Sequence, residues 1–74
     1  MTTDREEGFK MTLINYLGTT VTLKEDVPGN KRGTWVKKNT KLVPVTLHGY
    51  YFDLEWPGGG RAANQVHFSK LRTA

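Results

Sequence analysis

Residues 18–38 read GTTVTLKEDVPGNKRGTWVKK, and their alternation decides the fold class. Val21 and Leu23 alternate with Thr20, Thr22 and Lys24, which is the period of a half-buried strand. Pro28-Gly29-Asn30 breaks that strand, because proline fixes one dihedral and glycine or asparagine accepts a positive one. Lys31-Arg32-Gly33 sets two cations at the bend before Thr34-Trp35-Val36 opens the next strand. An exposed basic hairpin tip on a small β domain points to a binding module rather than an enzyme.

The same period recurs on both sides of this hairpin. Residues 9–17 read as a first strand, with Phe9, Met11, Leu13 and Leu17 on one face and Ile14 and Tyr16 on the other. Residues 34–47 read as one bent strand or as two joined at Asn39-Thr40. Pro44 lacks a backbone donor, so it belongs at an edge or a bulge. Residues 50–56 are the clearest strand: Tyr50, Phe52, Leu54 and Trp56 take the core face, and Tyr51, Asp53 and Glu55 take the other. His48-Gly49 turns the chain before it, and Pro57-Gly58-Gly59-Gly60 ends it. Residues 61–65 suit a single helical turn, and residues 66–71 a last strand with Val66 and Phe68 inward. Residues 1–8 show no period and read as a flexible acidic arm ahead of a domain over 9–74. Short strands with turn signals every eight to twelve residues predict an all-β, small five-stranded antiparallel SH3-like barrel. An OB-fold, which usually needs a longer chain, comes second.

Seventy-four residues make one small domain, and the absence of cysteine leaves it without a disulfide staple. That usage fits a reducing compartment, so a cytoplasmic location is expected. No apolar run approaches the roughly 18 residues of a membrane span. The opening MTTDREEGFK is too polar and acidic for a secretory leader. Net charge is +4 but unevenly placed. Residues 1–26 sum to −2, residues 27–49 to +5, residues 50–60 to −2 and residues 61–74 to +3. The central block holds Lys31, Arg32, Lys37, Lys38 and Lys41 without an acid. Such segments attract phosphates or acidic protein surfaces, and they also keep a small β protein soluble.

The hairpin resembles the KOW motif of ribosomal and transcription-elongation proteins, a strand, glycine-containing basic turn and strand on an SH3-like barrel. The matching residues are Val21, Leu23, Gly29, Lys31, Arg32, Gly33 and Trp35. Val66-His67-Phe68-Ser69-Lys70-Leu71 is similar to the closing strand and one-turn helix of such barrels. Asp26 and Pro28 stand where the family usually has glycine or lysine, and the spacing is longer. The resemblance implies binding to RNA or to the transcription or translation machinery. In size and basic, β-rich character the chain is also similar to small phage proteins that bind and inhibit host RNA polymerase.

Candidates for chemistry are few. His48 and His67 read as a turn and a strand histidine, since no cysteine is there to complete a zinc site. Asp53 and Glu55 stand two apart and could do acid–base work, yet they read better as a solvated face. Gly58-Gly59-Gly60-Arg61 lacks the strand–helix context of a phosphate loop and reads as a turn. Among the aromatics, Tyr51 is the best exposed candidate, and its acidic neighbours favour a protein partner over RNA. The expected partner surface therefore comprises Asp4, Arg5, Glu6 and Glu7 of the arm with Lys31, Arg32, Lys37, Lys38, Lys41, Tyr51 and Arg61. The expected function is a non-enzymatic transcription regulator, monomeric when free, that binds RNA polymerase. RNA or DNA binding through the basic hairpin is the alternative. An oligomeric enzyme with a shared pore is a distant third. No cofactor, metal or membrane is called for.

Overall fold

The computed structural model describes residues 12–73. Seven strands are formed among them: β1 (Val21–Leu23), β2 (Val27–Pro28), β3 (Trp35–Val36), β4 (Lys41–His48), β5 (Tyr51–Glu55), β6 (Arg61–His67) and β7 (Leu71–Thr73). A 3-10 turn (Phe68–Lys70) joins the last two. Five strands make one antiparallel sheet in the order β6-β5-β4-β1-β7, and β2 and β3 form a separate hairpin. The all-β antiparallel class is as expected. Among the described residues no ladder joins β6 to β7, so the sheet is not closed into a barrel.

Alternation builds the core. Val21 and Leu23 of β1 and Phe52 and Leu54 of β5 are fully buried, with Leu42, Val27 and Leu13 beside them. Thr22, the polar residue between the two β1 apolar ones, is buried too, because β1 is paired on both sides by β4 and β7. Asn39, at φ 72, makes the bend that separates β3 from β4 and resolves residues 34–47 into two strands. Pro44 sits where the β4–β5 register shifts, at a bulge as the missing N–H requires. Its carbonyl accepts the Gly18 N–H at 2.8 Å.

Three expectations are corrected. Residues 12–17, the described part of the expected first strand over 9–17, are not strand. Residues 12–14 are helical, and a turn follows. Leu13, Tyr16 and Leu17 stand at helical spacing. Tyr16 and Leu17 donate backbone N–H groups to the carbonyls of Leu13 and Ile14, at 2.9 and 3.1 Å. Leu13 is thereby buried while Ile14 faces water, and the Tyr16 ring stacks on Phe52 at 5.7 Å. Phe9, Met11 and the acidic arm over 1–8 lie outside the described residues.

Residues 61–65 are strand, not a helical turn, and residues 66–71 are divided between β6, the 3-10 turn and β7. Register shifts against β5 explain the misreading. One places both Ala62 and Ala63 inward, which breaks the two-residue period. The other puts Asn64 and Gln65 opposite Asp53, with Gln65 at φ 52. Trp56 is the third correction. Alternation assigned it to the core, but β5 ends at Glu55 beside a register shift, and the chain turns away. Trp56 is 43% exposed.

Candidate functional site

The β2–β3 hairpin is held by its own bonds. The Gly29 N–H donates to the Thr34 carbonyl at 2.8 Å, and the Thr34 N–H to the Lys31 carbonyl at 3.1 Å. Gly33, at φ 79, supplies the left-handed residue the bend needs. Gly29 is required for space, because a Cβ there would collide with the Thr34 side chain. The turn then folds onto β6: the Asn30 N–H donates to the Ala62 carbonyl at 2.8 Å. A side-chain chain extends this contact. Asn64 Nδ2 donates to Asn30 Oδ1 at 2.9 Å, and Arg61 Nη1 donates to Asn64 Oδ1 at 2.6 Å.

Asp53 anchors the other end of that chain. Its side chain is 14% exposed, lies 3.4 Å from Arg61 Nη1 and 3.3 Å from His48 Nε2, and accepts the Gln65 N–H at 3.1 Å. The expected solvated acidic face is therefore corrected at Asp53, whose oxygens brace β6. They are committed to structure, which removes the acid–base pairing with Glu55. Among the described residues no three His, Cys, Asp or Glu side chains gather as a metal site. His67 serves the 3-10 turn, its Nδ1 accepting the Ser69 N–H at 3.2 Å.

Between the hairpin and β6 lies an open groove of about 290 Å³. The exposed Trp35 and Trp56 line it together with the buried Val36 and Ala62, and Lys31, Arg61, Asn30, Gly29 and Thr34 complete the lining. Trp35 is 60% exposed, more than any other large apolar side chain described. No carboxylate lines the groove. Lys31 and its neighbour Arg32 have no ion-pair partner among the described residues.

The expected partner residues are only partly brought together. Lys31 and Arg61 line the groove, and Arg32 adjoins it. Lys37 pairs with Asp26 at 3.7 Å, and the Lys38 N–H donates to Asp26 Oδ1 at 2.7 Å, so these two stand at the base of the hairpin. Lys41 opens β4 opposite Thr22. Tyr51 is exposed as expected, but it lies at the far end of β5 from Trp56, edge-on to His67 at 5.1 Å. Asp4, Arg5, Glu6 and Glu7 lie outside the described residues. The two tryptophans were the residues that alternation missed at this site. The signal available was the proline–glycine run after Trp56, which ends the strand, and the place of Trp35 directly after a basic turn.

No helix among the described residues is long and apolar enough to cross a membrane. Compared with known proteins, the chain matches no family model, no curated protein and no solved structure.

Proposed function

We propose that this chain is a non-enzymatic binding module that regulates transcription by docking on RNA polymerase, as a phage-encoded inhibitor or antiterminator would. The observation that carries the binding role is the pair of exposed tryptophans beside Lys31, Arg32 and Arg61. Tryptophan and arginine are the side chains that most often dominate protein interfaces. Leaving both indoles in water without a partner would cost solubility for no gain in stability. The transcription machinery as partner comes from the hairpin's likeness to the KOW motif, and RNA polymerase from the chain's likeness in size and basic, β-rich character to small phage proteins that bind it. The strand order, with β1 between β4 and β7 and a 3-10 turn before the final described strand, supports an SH3-like arrangement of the open sheet.

The test is capture of purified RNA polymerase by the immobilised chain at about 150 mM salt, where exposed charge pairs are screened beyond roughly 8 Å. A change in run-off transcript yield is the functional readout. Retention that is lost when Lys31 and Arg32 are both reversed to Glu supports the reading, and absence of capture overturns it. The second reading, single-stranded nucleic acid on the same indoles, is favoured by their exposure next to cations, the arrangement on which unpaired bases stack.

A further inference from the structure

We infer that the Trp35–Trp56 groove receives an acidic peptide segment that inserts one large apolar side chain between the two indoles. The inference rests on the reading of this chain as a protein-binding module and names the chemistry of the bound segment. Three observations carry it. The first is charge. The lining presents Lys31 and Arg61 and no carboxylate, Arg32 adjoins it, and Lys31 and Arg32 have no ion-pair partner among the described residues. Arg61 is held in place by Asn64 and Asp53, so its guanidinium is positioned before anything binds.

The second observation is the buried part of the lining. Val36 and Ala62 are apolar and buried, and the Gly29 and Asn30 amides donate to the Thr34 and Ala62 carbonyls. A nucleobase inserted here would find those two backbone donors already spent, so they could not read its polar edge. A leucine or phenylalanine side chain carries no such edge. The third is size. About 290 Å³ lies at the lower end of the range of small-molecule pockets. It has room for one large side chain, while the open top lets the flanking backbone run past the cations. Carboxylates on either side of the anchor would then face Lys31, Arg32 and Arg61.

The chain's two tryptophans both line this groove, so intrinsic fluorescence reports on it directly. The probes are four: a short peptide with one Leu-Phe pair among Asp and Glu, the same peptide with Lys for every acid, the acids without the Leu-Phe pair, and oligouridine of matching length. The expected result is a blue-shifted, saturable response to the first peptide. Its affinity should fall by about tenfold or more when either the acids or the apolar pair are removed. Trp35→Ala and Lys31→Glu should each weaken it similarly, with the melting temperature and circular dichroism of the parent retained. A saturable response to oligouridine exceeding that to the acidic peptide overturns the inference in favour of nucleic acid. A flat response to every peptide overturns it as well. Polymerase capture that survives Trp35→Ala while the peptides fail would sink the groove and spare the partner. Peptide binding without polymerase capture would do the reverse.

Discussion

Burial separates the residues that hold the molecule from those that present it. Phe52 is fully buried and stacked by Tyr16, whereas Trp56 lies beyond the end of the same strand and is half in water. We expect Phe52→Ala to cost about 3–5 kcal/mol, most of what so small a domain has, and Trp56→Ala to cost about 1 kcal/mol or less. Urea melts of both variants check this ordering. Gln65 is a second informative position. Its φ of 52 is a left-handed conformation that a β-branched side chain resists. Gln65→Val should therefore lose about 1–2 kcal/mol, while Gln65→Gly should be near neutral, since relief of strain offsets the added freedom of the unfolded chain. Equal melts for the two would remove strain from the account. The inward residues of β1 and β5 were legible from sequence because each strand keeps a strict period of two. Trp56 was not, because one residue past a strand end the period no longer governs.

At the scale of elements, the β2–β3 hairpin is a separate ladder that packs Val27 and Val36 into the core and is clipped to the β6 edge of the large sheet. Its hydrogen-bonded attachment to that edge runs through Asn30 to Ala62 and Asn64. It thereby covers part of an edge that would otherwise invite pairing with another chain. Gly29→Ala should destabilise this unit by about 1–3 kcal/mol, because Thr34 must move to admit a Cβ. Chemical-shift changes confined to residues 28–36 and β6 are the expected signature. Changes spread evenly over β4 and β5 would count against a separate unit. The position of this hairpin was readable from its turn residues. β6 was not, since its two register shifts put adjacent alanines on one face and two polar residues opposite one. Such shifts depend on the partner strand and leave little trace in the local pattern. The groove was hidden for the same reason: its walls come from segments far apart in sequence.

For the whole molecule, charge and apolar contact are expected to divide the work of binding. With a net charge of +4 and acids interleaved, few phosphates can be neutralised at once. Affinity for random RNA or DNA should therefore be weak and fall with a shallow slope in log salt, roughly one unit per phosphate engaged. The share of protein binding carried by Trp35 and Trp56 should change little over the same range, because apolar burial is not screened by ions, while the share carried by Lys31, Arg32 and Arg61 weakens. Parallel titrations from low salt to about 150 mM measure the difference, the upper value being near physiological ionic strength. Tight binding of nucleic acid at the upper end would place that partner first.

The pairing of β1 with both β4 and β7 has a consequence for how the chain reaches this state. β4, β5 and β6 are neighbours in sequence and can pair as soon as they exist, so their loop-closure cost is small. Leu23 must wait for Leu71, its partner on the other side. On an elongating ribosome β1 is therefore made well before its second neighbour β7. Until β7 arrives, β1 has one side unsatisfied, and assembly is least protected against self-association in that interval. Of the described strands, the latest in sequence is the one that completes the sheet around β1.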